Sequence, residues 1–569
     1  MAWWKNSTVY QIYPRSFADG NGDGVGDIPG IIERVPYLSE LGVDVVWLSP
    51  VYRSPMDDNG YDIADYQDIH LEYGSMNDFD RLLETLHQYG IRLIMDLVVN
   101  HSSDEHSWFT MALEGTDSPT RDYYIWRDPA ADGGPPNNWT SFFGGSAWEL
   151  DEASGQYYFH SFSRKQPDLN WENPELRERI YEMMRWWLNR GVDGFRMDVI
   201  NLISKNPDFP DGKTDVSGPI GLEHYVNGPR FLEYIDEMQA EVLSKYDTMT
   251  VGELIHGNTE RAIELTDPRN NRLDMVFTFE HVTVDYGPDG KFDPVPFDPA
   301  RLRKVLFDWQ RALNSKGWNS LYLSNHDHPR HVSRYGNAEK YWQESAKLWA
   351  LVLHGLQGTP YIYQGEEIGM TNYPFSSIEE FRDIESLNAY AQMRDAGVSE
   401  ESALARLRHH SRDNARTPMQ WQEHMDAVFP HPWISIHPDA SSRNVQNQIH
   451  DPNSIWALYR QLISLRNELP VLQGNWMPMV EDHPCVFAYV RWIHDQMLLV
   501  MANPSDEPAR FVIKPEHLPP EWLESARTVN PRLLLSSIYD MREMPRAVLH
   551  KSDIELQPWE AGFLLWDRR

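Results

Sequence analysis

Eight short runs of apolar and β-branched residues punctuate the first two thirds of the chain, at 8–14, 43–50, 92–98, 194–199, 249–254, 275–281, 320–327 and 359–367. Between them lie stretches whose apolar residues recur every three or four positions, as at 78–89 and 173–190, the period of an amphipathic helix. Strand–helix alternation repeated eight times predicts an α/β fold, a parallel (β/α)8 TIM barrel. A doubly wound open sheet is disfavoured, because no glycine-rich dinucleotide loop follows the first run. The alternation fails between 100 and 170, where turn-rich sequence such as Asp132-Gly133-Gly134-Pro135-Pro136-Asn137-Asn138 appears. An insertion there follows the third strand and sits on the barrel's C-terminal face, where active sites are built. Beyond 480, alternating short strands at 486–492 and 497–502 predict an antiparallel β-domain. The expected organisation is a barrel at 1–103 and 172–480, an inserted domain at 104–171 and a C-terminal β-domain at 481–569.

Composition narrows the classes without naming a substrate. With 41% hydrophobic and 24% charged residues in 569, the chain has the make-up of an ordinary folded protein. Its formal charge of −34 repels phosphate backbones and anionic lipid, so neither nucleic acid nor membrane is expected as a partner. No apolar run approaches the roughly 20 residues that span a bilayer. Cys485 is the lone cysteine, so no intrachain disulfide forms, which fits a reducing compartment. Met1-Ala2-Trp3-Trp4-Lys5-Asn6 carries no basic-then-apolar leader, and the expectation is a cytoplasmic protein. The 22 Trp, 27 Tyr and 21 Phe suit the apolar faces of sugar rings, but core packing uses the same residues.

Strand ends on one barrel face converge on a common pocket, so acids at those ends are the candidate chemistry. Asp198 closes the fourth predicted strand, Glu253 the fifth and Asp327 the seventh. Neighbouring strands lie about 4.8 Å apart, close enough for the two carboxyls at about 5–5.5 Å that a retaining glycosidase needs. Arg196 stands two residues before Asp198, on the same side of the strand, and its charge keeps Asp198 ionised as a nucleophile must be. Glu253 has no basic residue two positions before it, which leaves it as the candidate acid. An Arg–Asp pair alone is more often structural; three acids at three strand ends point to catalysis. His101 and His326, also at strand ends, offer donors to sugar hydroxyls. No His-x-His or Glu-x-x-His spacing makes them metal ligands.

Near the N-terminus, Asp19-Gly20-Asn21-Gly22-Asp23-Gly24-Val25-Gly26-Asp27 alternates oxygen side chains with glycine. Such a loop wraps a hard cation, Ca²⁺ or Mg²⁺. It follows the first half of an EF-hand loop, although Gly30 stands where a bidentate Glu would close it. Its position after the first strand points to a structural ion.

At these residues the chain resembles glycoside hydrolase family 13, within it the oligo-1,6-glucosidase and α-glucosidase group. The matching segments are Asp96-Leu97-Val98-Val99-Asn100-His101, 194–199, Gly252-Glu253 and Asn325-His326-Asp327. Gln166-Pro167-Asp168-Leu169-Asn170 narrows the likeness to the oligo-1,6-glucosidase group. Gly365-Glu366-Glu367-Ile368-Gly369-Met370 and Arg412-Asp413-Asn414-Ala415-Arg416-Thr417-Pro418 extend it. The likeness runs from Trp3 to about Glu468. It implies Asp198 as nucleophile, Glu253 as acid/base and Asp327 as the carboxylate gripping the sugar's ring hydroxyls. It also implies glucose contacts from Asp58, Tyr61, His101, Phe162, Gln166, Arg196, His326 and Arg412, with Arg412 chosen over Arg416 because it opens its motif. The cation ligands it implies are Asp19, Asn21, Asp23, the Val25 carbonyl and Asp27, with no organic cofactor.

In this group Val at the position of Val199 goes with α-1,6 cleavage and Thr with α-1,4, a lever of about 1–3 kcal/mol. The implied activity is a retaining exo-α-glucosidase acting on the non-reducing end of small isomalto-oligosaccharides. Trehalose-6-phosphate hydrolysis, transglucosylation and sucrose isomerisation are the alternatives. After Pro329 the chain reads Arg330-His331-Val332-Ser333-Arg334-Tyr335, without the arginine-rich loop typical of sucrose isomerases. A non-catalytic transporter-partner relative is disfavoured, because all three acids are present and no anchor is seen. Two departures bear on a second sugar: His328 replaces the group's usual Gln, Asn or Leu, and Ala427-Val428-Phe429 replaces a common Gly-Phe.

Overall fold

The computed structural model describes residues 2–214, 218–528, 531–538 and 553–568. Eight parallel strands form the barrel: β1 (Val9–Ile12), β2 (Val45–Leu48), β3 (Arg92–Leu97), β4 (Gly194–Met197), β5 (Met249–Glu253), β6 (Met275–Phe277), β7 (Ser320–Leu321) and β8 (Thr359–Tyr363). Every strand lies inside one of the eight sequence runs. A parallel bridge between Val276 and Asn319 joins β6 to β7 and closes the ring. Strands buried on both faces read as unbroken apolar runs, which made them visible in the sequence.

The period of two sorts each strand. Val9, Val45, Trp47, Ile94, Val251, Phe277 and Tyr361 fill the barrel interior, whereas Tyr10, Val46, Met95, Phe195 and Ile362 face the helices. Two residues further along the inward set, apolar side chains give way to Gln11, Asp96 and Glu253, all buried. Arg196, two beyond Gly194, joins this polar layer and sits in register with Asp96 on β3. Gly194 is needed where β4 meets β5, since a Cβ there would stand 1.9 Å from the Met249 carbonyl oxygen.

Around the ring, α1 (Ile28–Leu41) follows β1. Helix Met76–Gln88 opens on a Ser75/Asp78 capping box. Helix Pro174–Arg190 runs from an Asn173 cap to a left-handed Gly191. The insertion carries a short helix, Ser107–Ala112, and an antiparallel sheet ordered Trp126–Arg127, Gln156–Phe159, Trp148–Asp151. Its Trp139, Trp148 and Phe159 pack with Val199 and Tyr225, so the insertion leans on the residue after β4. A long excursion after β8 includes helices Ile384–Asp395 and Glu400–His410.

The C-terminal sheet is antiparallel, ordered Asn475–Pro478, Phe487–Trp492, Gln496–Ala502, Ala561–Asp567, Arg532–Ser536. Its first strand lies before residue 481, because Asn475 pairs with Trp492 rather than with the barrel. Among the described residues no helix is long and apolar enough to cross a membrane.

Candidate active site

The C-terminal ends of the strands open into a cavity of about 610 Å³. Asp198, Glu253 and Asp327 all line it, with Asp58, Tyr61, His101, Phe162, Val199 and Arg412. β4 ends at Met197 rather than 199, but the Asp198 N–H still donates to the Leu97 carbonyl at 3.0 Å. That last rung aims the carboxylate out of the barrel. Val199 then takes a left-handed conformation, φ 35° and ψ 39°, which a β-branched residue rarely adopts. Its N–H is thereby brought to Glu253 Oε2 at 2.9 Å.

One guanidinium organises the acids. Arg196 Nη1 lies 2.6 Å from Asp96 Oδ1 and 2.5 Å from Asp198 Oδ1, while Nη2 lies 2.8 Å from Glu253 Oε2. Asp198 and Glu253, 55 positions apart in sequence, are therefore held by two nitrogens of one side chain. Burial pushes the Asp198 carboxyl well above its ordinary range, with the Glu253 and Asp96 carboxylates adding to it. Arg196 opposes this without overcoming it, which corrects the expectation that its charge alone keeps Asp198 ionised, so the attacking form is the one in which the proton of the pair resides on Glu253. The expectation that Glu253 lacks a basic partner is corrected: Arg196 reaches it from the adjacent strand, which a rule reading only along β5 does not see.

Asp327 sits on the opposite side of a second charged cluster. Its Oδ1 accepts from Arg412 Nη1 at 3.2 Å and from Arg416 Nη2 at 3.1 Å, and its Oδ2 lies 2.9 Å from His326 Nε2. Burial works against the charge, yet His326, Arg412 and Arg416 hold the Asp327 carboxyl well below the usual range. Arg412 and Arg416 thus both grip Asp327, although only Arg412 reaches the cavity wall. Arg412 also meets Asp58 at 3.1 Å and Asp383 at 2.5 Å. Burial drives Asp58 up to about 7 against the pull of these arginines.

Three of the residues implied as glucose contacts stand behind the wall instead of in it. Gln166 is fully buried and lies 3.2 Å from Asp58 and 3.3 Å from His101. His326 stacks face to face under the Tyr61 ring, centroids 5.2 Å apart, with Gln11 Nε2 2.8 Å from its Nδ1. If that amide donates, the ring keeps its proton on Nε2, facing Asp327. Arg196 is the third. His101, at the wall, is held neutral, because burial brings its pKa down to about 4.

Sequence reasoning missed several wall residues. Phe142 and Phe143 come from the insertion, Phe279, Glu280 and Lys291 from the segment after β6, and Glu385 from helix Ile384–Asp395. Lys291 and Glu385 form an ion pair at 2.5 Å. Phe279 and Glu280 lie at the end of the sixth predicted run, 275–281, but no motif marked them, and the others stand outside any strand end.

The glycine-rich loop lies apart, between β1 and α1. Asp19 accepts from the Gly22 and Gly24 amides at 2.6 and 2.7 Å, Asn21 from Asp23 at 2.9 Å and Asp23 from Val25 at 2.9 Å. Asp27 Oδ1 accepts from Gly20 and Gly30, and its buried Oδ2 has no hydrogen-bond partner. An orphaned carboxylate oxygen in an oxygen-rich loop fits a hard cation. Among the described residues the compact histidine–acid group is Asp285, His409 and His410; there Arg334 Nε already holds Asp285 at 3.0 Å.

Residues 11–475 match the family model described as alpha amylase, catalytic domain. The chain is 52% identical over 565 residues to an oligo-1,6-glucosidase of Parageobacillus thermoglucosidasius, covering 98% of both. A trehalose-6-phosphate hydrolase of Bacillus licheniformis superposes with a TM-score of 0.93 at 44% identity, covering all of both chains. An isomaltulose synthase of Klebsiella sp. LX3 gives 0.92 at 38%, again over the full length of both.

Proposed function

The chain belongs to the alpha-amylase catalytic-domain family of glycoside hydrolases, and on that premise we propose a retaining exo-α-glucosidase. It hydrolyses α-1,6 bonds at the non-reducing end of isomalto-oligosaccharides. The observation that carries this reading is the single guanidinium spanning Asp198 and Glu253 beside a cavity walled on its far side by Asp327.

Asp198 attacks the anomeric carbon as Glu253 gives its proton to the departing glycosidic oxygen; that C–O bond breaks and an Asp198–glucosyl ester forms. Glu253, now a carboxylate, takes a proton from water, whose oxygen attacks the same carbon and displaces Asp198. Two inversions restore the α configuration. Arg196 neutralises the paired carboxylates through this exchange. Asp327, kept ionised by His326 and two arginines, accepts hydrogen bonds from ring hydroxyls, with Asp58, Arg412 and His101 completing the grip on the terminal glucose. Phe142, Phe143 and Phe162 from the insertion supply the apolar wall behind that ring, which limits the enzyme to chain ends. Val199 against the insertion's aromatic cluster sets the preference for α-1,6 linkage.

Released glucose followed by ¹H NMR from the first seconds of isomaltose hydrolysis is expected to appear as the α anomer; β-glucose first would overturn the retaining mechanism. A panel of isomaltose, maltose, trehalose 6-phosphate and sucrose ranks the substrates, with isomaltose expected first. Phosphorylated disaccharide is the second reading, because Lys291 and the exposed Arg301 line the outer cavity. Pairing of Lys291 with Glu385 weakens it. Asp19, Asn21, Asp23, the Val25 carbonyl and Asp27 would hold a structural Ca²⁺, or Mg²⁺, tying the loop to α1. Cys485, a free thiol, supports action in the reducing cytoplasm.

A further inference from the structure

Lys205 is only 6% exposed and stands seven residues past Asp198, in the segment after β4. Its Nζ donates to Asn100 Oδ1 at 2.7 Å and lies 2.8 Å from Asp168 Oδ2, and both partners are fully buried. Asp168 also accepts from the Ser161 amide and hydroxyl at 2.6 and 2.7 Å and from Asn100 Nδ2 at 3.0 Å. Among the described residues no other cation pairs with it. The Leu169 amide donates to the Asn100 carbonyl at 2.9 Å and the Ser102 amide to the Pro167 carbonyl at 3.1 Å. That pairing sets Asp168 opposite His101, a residue of the cavity wall. From this, and on the reading that His101 grips the terminal glucose, we propose that Lys205 is a positioning residue acting through His101. It fastens the insertion to the turn after β3 and cancels the charge of Asp168 behind the histidine.

The cancellation matters because of the charge that builds on the substrate. A retaining glycosidase passes through an oxocarbenium-like transition state, and an imidazolium in the wall would repel it. Burial brings the His101 pKa down to about 4, with Asp168 working upward and Lys205 downward. A bare carboxylate in that place favours the protonated ring, whereas an ion pair presents little net charge. Burial also draws Lys205 below the ordinary lysine range, and the Asp168 carboxylate opposes that fall. The charged groups that share the wall with His101 are Asp58, held off by Gln166, and Asp198, Glu253, Asp327 and Arg412. None of these pairs with Lys205, so a change there leaves their contacts in place.

His101 itself reports the outcome. In the full-length protein with ¹³C,¹⁵N-labelled histidine, the His101 signal is identified by its loss in His101→Asn. It is expected to titrate near 4 in the wild type and about 1–2 units higher in Lys205→Met. Lys205→Met combined with Asp168→Asn removes both charges and should return the titration to within about half a unit of wild type. An unchanged titration in Lys205→Met, or one that stays raised in the double variant, overturns the proposal. If Lys205→Met does not fold, the double variant decides. A buried charge without its partner is the costly state and a neutral pair is not, so the double variant should fold; failure of both assigns Lys205 to packing alone. The kinetic readout is kcat on isomaltose at pH 5 divided by kcat at pH 7. It is expected to fall about threefold below the wild-type ratio in Lys205→Met and to recover in the double variant, whereas a purely structural role lowers kcat at both pH values alike. An unchanged ratio beside a raised titration would refute the bearing of that charge on the reaction. If isomaltose is not cleaved at all, the linkage reading fails, and the titration, which needs no substrate, still decides the role of Lys205.

Discussion

Arg196 ties both candidate catalytic carboxylates to one side chain. It is 1% exposed, touches three carboxylates and lies over the Trp47 ring. Its planar fork places one nitrogen on Asp96 and Asp198 and another on Glu253, a geometry a lysine ammonium cannot reproduce. Arg196→Lys should therefore cut kcat on isomaltose by about 10²–10³-fold, the range seen when a transition-state donor is lost. Urea unfolding should register a loss of about 1–3 kcal/mol, because the lysine keeps the charge but leaves a buried carboxylate without its hydrogen bond. Activity above a tenth of wild type in the lysine variant would mean the fork is dispensable. The same residue shows what a sequence can and cannot disclose. The pairing of Arg196 with Asp198 follows from a two-residue offset on one strand. Its reach to Glu253 depends on the closing of the barrel, and no offset along β5 reveals it. For a similar reason the contacts of Gln166 with Asp58 and His101, and of His326 with Asp327, cannot be read along one strand.

At the scale of elements, one side chain links the oxygen-rich loop to the first helix. Asp27 caps α1 through the Gly30 amide at 2.7 Å, closes the loop through Gly20 at 3.0 Å and keeps Oδ2 unpaired. Burial lifts its pKa to about 6. With a folded pKa above the unfolded value near 3.9, the folded protein binds the extra proton between those values. The contribution of this group to stability therefore falls as pH rises from about 4 to about 6 and stays low above. A cation in the loop competes with that proton and removes the penalty. Calcium should accordingly raise the melting temperature of chelator-treated protein more at pH 7.5 than at pH 5, and Asp27→Ala should abolish the difference. Equal shifts at both pH values would argue against a cation ligated by Asp27. Elements differed in legibility. The eight barrel strands announce themselves because both faces are buried, while their ends do not: β7 has only Ser320 and Leu321 in its ladder before the chain turns toward Asp327. Within the excursion after β8, helix Ile384–Asp395 left no trace, since it buries only Ser386 and so lacks an apolar stripe to read. Its flanks nonetheless deliver Asp383 and Glu385 to the site.

At the scale of the whole molecule, the alternating pattern beyond 480 reads as a separate domain, but the packing does not separate it. Phe487, Tyr489, Val500 and Phe563 belong to the same buried cluster as Trp349 and Leu353 of the barrel's helical shell. Tyr489 donates to the Val352 carbonyl at 2.6 Å, and Arg303 reaches back to the Val486 carbonyl at 2.6 Å. Arg491, fully buried, donates to the Gly355, Leu472 and Gly474 carbonyls at 3.0, 2.7 and 2.8 Å. Cutting the chain at 480 would strip these partners from the barrel, expose the face of helix Trp342–Gly355 and leave strand Asn475–Pro478 without its neighbour. Units that share a core unfold together, whereas domains joined only by a polar interface separate. Calorimetry of the full chain should thus give one cooperative transition, and a fragment ending at residue 480 should lack both a melting transition and glucosidase activity. Two resolved transitions, or an active fragment, would show that the barrel stands alone and that Arg491 and Tyr489 only decorate a boundary. The active site has a stake in the outcome. The helix on which the C-terminal sheet rests leads directly into β8, and Arg330, from the chain after Asp327, donates to the Gln364 carbonyl at its end at 2.5 Å. A sheet that begins more than a hundred residues after Asp327 thereby bears on the loops that hold Asp327 and His328.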